Sequence, residues 1–309
     1  MSEKMMQVIQ FHDFGGPEVL MLEQAPVPQP GAGQVLLRVV AAGVNPADWK
    51  IRAGLTKAFM TIPLPYIPGL EAAGMVESVG PDVTSFKPGQ AVFGLVAGGY
   101  AQYALANATD LQAKPANLTF EEAASVPVGA LTAWGSLIET VKLQTGQRVL
   151  VQGAAGGVGI FGVQLADWKG AQQVIGTASA ANAEFVRSLG ANQAVDYQAA
   201  PFESVLHNLD VVFDTVGGDV FVRSLKVLHP GGVLVTVAAQ IPPEMGKAEG
   251  VQVVRGGRAP GGDLAQIAGL LATGKIKTFV SASLPLSAAR KSHEMSQTGH
   301  TRGKIVLKI

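Results

Sequence analysis

The chain has no cysteine in its 309 residues, which excludes disulfides and every thiolate metal site. It has no excess charge of either sign, with 23 basic and 23 acidic side chains. Nucleic acid and anionic membrane surfaces are therefore not expected partners. No apolar run is long enough to span a bilayer, and no apolar signal core follows Met1-Ser2-Glu3-Lys4, so a cytoplasmic location is the expectation. The five histidines (12, 207, 229, 293 and 300) are dispersed without ligand spacing, which points to surface or core roles for each. What is present is apolar residue, at 48%, and glycine, at 38 positions, a composition that suits a compact α/β protein rich in tight turns. The length exceeds the usual single domain and predicts two.

The organising stretch is Gln152-Gly153-Ala154-Ala155-Gly156-Gly157-Val158-Gly159. A short apolar run, Arg148–Val151, precedes it and reads as a buried parallel strand. The residues after it, Ile160–Lys169, read as a helix with Phe161, Leu165 and Trp168 on one side. Strand, glycine turn and helix form the context of a dinucleotide fingerprint. A pyrophosphate reaches backbone N–H groups at a helix N-terminus only where no Cβ intervenes. Gly156 is expected to face the phosphates and Gly159 the strand. Position 154, where the strict motif has glycine, holds alanine.

Before this stretch, Met6–Phe11 and Val19–Glu23 read as paired strands, and Val35–Val44 carries the strongest strand signal. That strand delivers the polar segment Asn45–Gly54, where binding residues are expected. A proline-fixed loop from Pro63 leads to a strand at 74–79, and 91–94 follows as another. From the capping-box spacing Thr119–Glu122 onward the pattern changes to alternating strand and helix. Strands at 148–152, 173–176, 194–197, 209–214, 232–237 and 251–254 match a doubly wound fold. The segments after Pro260 are expected to return to the first domain.

Several motifs occur in order: Asn45-Pro46-x-Asp48 with Arg52 and Gly54, Pro68-Gly69-x-Glu71-x-x-Gly74, Lys87-Pro88-Gly89-x-x-Val92-x-Gly94, Tyr100-Ala101-x-Tyr103, the glycine turn, and Gly303-Lys304-Ile305-Val306-Leu307. Together they resemble the zinc-independent quinone oxidoreductase branch of the medium-chain dehydrogenase/reductase superfamily, over essentially the whole chain. The resemblance implies an α/β protein with a doubly wound Rossmann dinucleotide-binding domain at 121–257. The rest, 1–120 and 258–309, is expected to form a GroES-like, β-barrel-like substrate domain.

The resemblance also bears on metal. Zinc-dependent relatives carry a cysteine ligand at the position of Asn45 and a histidine at that of Leu70, and neither an amide nor an alkyl side chain replaces them. No metal is expected. Without a Lewis acid, the accessible chemistry is hydride transfer to an electron-poor acceptor such as a quinone or enone. Asn45, from the family motif, is the candidate hydrogen-bond donor to the acceptor's oxygen, and a turn role at the strand end is its structural alternative. Tyr66 is the candidate pocket residue or proton donor, with aromatic packing as the alternative. Asp48, Arg52 and Glu71 are read as holding the loop together by charge-assisted bonds.

The expected cofactor residues are Ala155, Gly156, Gly157, Val158 and Gly159 for the phosphates, and Thr177, Ser179, Asn182 and Tyr197 for the adenosine side. Val216, Val237 and Ala238 are expected beside the nicotinamide. The segment after the second strand, Gly176–Asn182, carries no acid, which favours NADP (NADPH) because a carboxylate there would repel the 2′-phosphate. Three readings stay open: an NADPH-dependent quinone or enone reductase acting on a small hydrophobic electrophile, a reductase of enoyl thioesters or xenobiotic carbonyls, and an NADPH-binding regulatory or structural protein with little turnover. A homodimer is expected, through the apolar strand at 251–254.

Overall fold

In the computed structural model, which describes residues 4–309, an antiparallel pair opens the chain: β1 (Met5–Gln10) and β2 (Met21–Pro26). Met1, Ser2 and Glu3, counted within the expected first domain, lie outside the described residues. Next comes β3 (Gln34–Val44), whose one exposed side chain is Arg38. It runs directly into α1 (Pro46–Arg52), so the polar segment expected after it begins as a short helix with proline at its first position. Three strands and a short fourth follow: β4 (Glu71–Val79), β5 (Ala91–Leu95), β6 (Tyr103–Asn107) and β7 (Leu111–Ala113).

The change of pattern occurs at Thr119. Its Oγ1 accepts from the Glu122 amide at 3.1 Å, while its own amide donates to the Glu122 carboxylate at 2.8 Å. This reciprocal pairing satisfies two orphan donors and opens α2 (Phe120–Ala124). Pro127 then begins α3 (Pro127–Trp134), which widens into a π turn at Gly135–Thr140. The alternating region comprises β8 (Arg148–Gln152), α4 (Gly159–Trp168), β9 (Gln173–Ala178), α5 (Ala183–Ser188), β10 (Gln193–Asp196), β11 (Leu209–Asp214), α6 (Gly218–Arg223), β12 (Leu228–Thr236) and β13 (Gln252–Arg255). The chain closes with α7 (Leu264–Ala272), β14 (Val280–Pro285), α8 (Ala289–Gln297) and β15 (Lys304–Lys308).

The residues form two compact units. One contains Met1–Val128, Gly261–Ala272 and Thr278–Ile309; the other contains Gly129–Pro260 and Thr273–Lys277. The first is built on a sheet of order β14-β15-β3-β4-β5-β7, with β6 also paired to β3. Its core gathers Leu37, Val39, Val76, Val92, Leu111 and Leu307. The second is a sheet of order β10-β9-β8-β11-β12-β13 in which every pairing is parallel. That order reverses between β8 and β11, the switch point of a doubly wound fold, outside which ligands collect.

Register explains the core of the second unit. Ile175, Leu150, Val212, Leu234 and Val253 stand opposite one another across five strands and pack in one cluster. On α4 the structure corrects the one-sided reading: residues 159–166 are all buried, and the exposed residues are Asp167 and Trp168 at its end, the latter stacked on Trp134 at 5.7 Å. Gly162 is the reason it packs so closely, since a Cβ there would stand 2.9 Å from the Phe213 ring.

Candidate active site

In the first unit β3 ends at a buried cluster of charge. Asn45 leads into α1, and its backbone N–H donates to Asp48 Oδ2 at 2.8 Å. Its side chain is turned elsewhere: Nδ2 donates to Glu71 Oε1 at 2.8 Å, and Oδ1 accepts from Lys304 Nζ. Lys304 also donates to Glu71 Oε1 at 2.7 Å, while Glu71 Oε2 accepts from the Val128 amide at 2.6 Å. Glu71 and Lys304 are 0% and 3% exposed, so this ion pair is held in the interior and is stable only because both partners are further hydrogen-bonded. Gly43 makes room for it, since a Cβ there would collide with the Glu71 carboxylate and the Ala124 carbonyl.

A second chain of groups ends on Asp48. Arg52 Nη1 lies 3.5 Å from His293 Nδ1, His293 Nε2 lies 3.3 Å from the Tyr100 hydroxyl, and that hydroxyl lies 3.2 Å from Asp48 Oδ2. Arginine only donates. His293 Nδ1 is therefore the acceptor and its Nε2–H the donor to Tyr100, which leaves the tyrosine proton for Asp48. Burial, followed by the Arg52 charge, holds His293 down to about 3 and so neutral. Burial pushes the Asp48 carboxyl up to about 7 against the Asn45 N–H; Glu71 adds to the rise, and Lys304 and Tyr100 oppose it. Asp48 Oδ1 is buried without a partner. Tyr66 is half-buried with its ring 5.5 Å from Phe11, and burial followed by the Asp48 charge raises its hydroxyl above the usual tyrosine value.

Asn45 thus has one amide N–H committed to Glu71 and one left. Asp48, Arg52 and Glu71 do tie the loop together, as their charges suggested. Tyr100 and Lys304 stood in the quoted motifs, and His293 among the histidines given surface or core roles, but sequence reasoning assigned none of the three a part in the site. The signal for Lys304 was a lone cation in the apolar strand Ile305–Leu307, which must find an acid once buried.

In the second unit the expected cofactor residues gather at the carboxyl ends of the strands. Gly153 takes a positive φ of 67°, a conformation glycine adopts at little cost. Gly159 sits where a Cβ would collide with the Gly153 carbonyl, so it faces the turn and not the flat of the strand. Helix α4 begins at Gly159, with no side chain capping it; the Ile160, Phe161 and Gly162 amides are taken by the Gly156 and Val158 carbonyls, so an anion would be met by the amides of the turn before them. Ala155 is buried and Gly156, Gly157 and Val158 are half-buried along this turn.

Thr177 is placed differently from a ligand contact: it is 3% exposed, its hydroxyl donating to Gln152 Oε1 at 2.7 Å and accepting from the Gly153 amide at 3.1 Å. It holds the turn. Ser179 and Asn182 follow β9 and are bonded to each other at 3.3 Å, and the Tyr197 amide reaches the Ala178 carbonyl at 3.3 Å. Val216 and Ala238 are exposed and Val237 half-buried. Both of their loops hang on Asp214, which was also missed. Its Oδ1 accepts from the Val216 and Gly217 amides at 3.0 and 2.9 Å, and its Oδ2 accepts from Thr236, whose Oγ1 in turn accepts from the Ala238 and Ala239 amides.

Residues 31–116 match the alcohol dehydrogenase GroES-like domain family, and residues 189–307 match the family described as zinc-binding dehydrogenase. The quinone oxidoreductase of Mus musculus is 34% identical, over 99% of this chain and 98% of its own. The chloroplastic NADPH-dependent alkenal/one oxidoreductase of Arabidopsis thaliana is 35% identical, over 98% of this chain and 80% of its own. Among solved structures, the quinone oxidoreductase from Coxiella burnetii superposes with a TM-score of 0.90 at 33% identity, covering 99% of this chain and all of that one.

The second family description implies zinc, and the residues do not fit it. Asn45 offers an amide, Leu70 an alkyl group, and the remaining acid, Glu71, is already matched by the Lys304 ammonium. Among the described residues no three His, Asp or Glu side chains are gathered to hold a metal ion, and no helix is long and apolar enough to cross a membrane.

Proposed function

Because the chain belongs to the quinone oxidoreductase branch of the medium-chain dehydrogenase/reductase superfamily, we propose that it uses NADPH to reduce a quinone or an α,β-unsaturated carbonyl without a metal. The observation that carries this reading is the buried Asn45–Glu71–Lys304 cluster, which puts an oriented amide and an ammonium where a zinc enzyme would need metal ligands. NADPH supplies the hydride when bound. The glycine turn leading into α4 would take its pyrophosphate, with Ser179, Asn182 and Tyr197 on the adenosine side. The loops ordered by Asp214 would shape the nicotinamide end, through Val216, Val237 and Ala238.

Hydride delivery to a conjugated acceptor builds negative charge on its oxygen. The free Asn45 N–H, backed by the Lys304 charge, would hold that oxygen. Tyr66, kept protonated by burial and by the Asp48 charge, is the proposed proton donor or pocket wall. The absence of an acid after β9 supports NADPH over NADH, as does the NADPH dependence named for the Arabidopsis relative. The position of β13 at the edge of its sheet supports a homodimer made by continuing the sheet.

The test is spectroscopic: consumption of NADPH and of NADH followed against quinones, enones, enoyl thioesters and simple ketones. Rapid NADPH oxidation with quinones or enones is expected. Turnover of simple ketones alone would overturn the proposal, and NADPH binding with no oxidation of any acceptor would replace it with a binding role.

A further inference from the structure

The Asn45 amide can sit in its pocket only one way round. Lys304 Nζ carries N–H groups and no lone pair, so only Oδ1 can face it; the Glu71 carboxylate oxygen carries lone pairs alone, so only Nδ2 can face that. Glu71 Oε1 accepts from both Nδ2 and Nζ. The three groups therefore close a ring that uses the Nδ2–H lying on the carbonyl side of the amide. The other Nδ2–H is left pointing away from the ring. A flipped amide would set N–H against ammonium and C=O against carboxylate, in a site where Asn45 and Lys304 are each 3% exposed and the low local dielectric strengthens the repulsion.

We infer that Lys304, from the last strand of the chain, is a positioning residue for the reduction: it locks the Asn45 side chain so that a donor, and never the amide carbonyl, is offered to the acceptor's oxygen. The inference rests on the proposed reductase reading. Glu71 demands a donor and Lys304 an acceptor, so each holds one end of the rigid amide and the two together exclude the flipped form. Lys304 acts from 259 residues away in sequence, through the pairing of β15 with β3.

The experiment is a mutant cycle with two readouts. Lys304→Met removes the lock but strands the Glu71 carboxylate in the interior, so it is measured beside Glu71→Gln/Lys304→Met, in which no buried charge is left unpaired. In that double variant the freed amide samples both orientations. We expect kcat with a quinone or enone to fall by at least the roughly twofold that two equally populated orientations impose and further with loss of the Lys304 charge behind the donor, NADPH affinity by fluorescence to stay within about twofold, and the Asn45→Ala loss to shrink in that background relative to the wild type. A purely structural Lys304 would instead leave the Asn45→Ala loss at full size and multiply it into the double variant's own, and that result would overturn the inference.

The second readout does not depend on turnover. With asparagine nitrogens labelled, the two Asn45 side-chain protons, distinct in any amide because the C–N bond does not turn freely, should show widely separated shifts and slow exchange with solvent in the wild type, and shifts near those of a free amide with faster exchange in the double variant. Unchanged signals in the double variant would refute the lock, whereas a wild type with the lock and no turnover would refute the reductase reading alone.

Discussion

Asp48→Asn should give the protein a pH dependence that the wild type conceals. Asp48 titrates near 3.8 when unfolded and at about 7 in the native chain, so its contribution to stability is fully present below 3.8 and is lost as pH rises through about 7. His293 titrates near 6.5 when unfolded and at about 3 in the native chain, so its contribution is present above 6.5 and is lost as pH falls toward 3. Over the shared window the two oppose each other. With 1.36 kcal/mol per pH unit of displacement, lowering the pH from about 7.5 to about 5 gains roughly 2.5 kcal/mol from Asp48 and loses roughly 2 kcal/mol from His293. The wild type should therefore change by well under about 1 kcal/mol from this pair.

Asparagine at position 48 keeps an oxygen for the Asn45 amide and the Tyr100 hydroxyl while removing the titration. Urea unfolding of Asp48→Asn at the two pH values should show a loss of about 2.5 kcal/mol at the lower pH relative to the wild type. His293→Gln should show the opposite sign, a relative gain of about 2 kcal/mol. The groups facing Asp48 are Glu71, Lys304, Tyr100 and Tyr66, and all are retained in both variants, so background titration cancels. If both variants follow the wild-type pH profile within about 0.5 kcal/mol, the assignment of opposed buried groups is wrong.

Gly159→Ala should weaken NADPH binding by more than about tenfold and lower the unfolding temperature, because the new Cβ collides with the Gly153 carbonyl across the phosphate turn; cofactor fluorescence and thermal melts check it. Asp214→Ala should raise the KM for NADPH while leaving that for the acceptor within about twofold, and should cost about 2–4 kcal/mol in urea unfolding, since it orphans the Val216 and Gly217 amides and the Thr236 hydroxyl. Ser179→Asp should move cofactor preference toward NADH by about tenfold or more, by repelling a 2′-phosphate and accepting from the ribose hydroxyls; the ratio of kcat/KM values for the two cofactors reads it.

The glycine turn was legible because its physics is local. A positive φ at Gly153 and the closeness of Gly159 to the Gly153 carbonyl are demands on residues six apart, and glycine meets both. The doubly wound sheet was legible for a related reason, since short apolar strands alternating with helices leave few topologies open. Thr177 shows where the local argument stops: position alone put it near the adenosine, whereas its hydroxyl is consumed inside by Gln152 and Gly153.

The acid cluster could be read only in part this way: residues 45, 48 and 52 are neighbours at α1, whereas 71, 100, 293 and 304 reach them through strand pairing and through α8. Sequence shows a lysine in an apolar strand and several acids, and physics requires that such a lysine, once buried, take one of them. Which acid it takes decides the chemistry. Glu71 receives Lys304 directly at 2.7 Å, and Asp48 is left with neutral donors and an unpartnered Oδ1. One ammonium among two buried carboxylates can discharge only one of them. Glu71 and Lys304 together then fix the amide orientation of Asn45, while Asp48 is left to titrate near neutrality a few residues along the same turn. The division of charge that spends Glu71 on Lys304 is thus also what leaves a carboxyl in the site that gains and loses a proton near neutral pH.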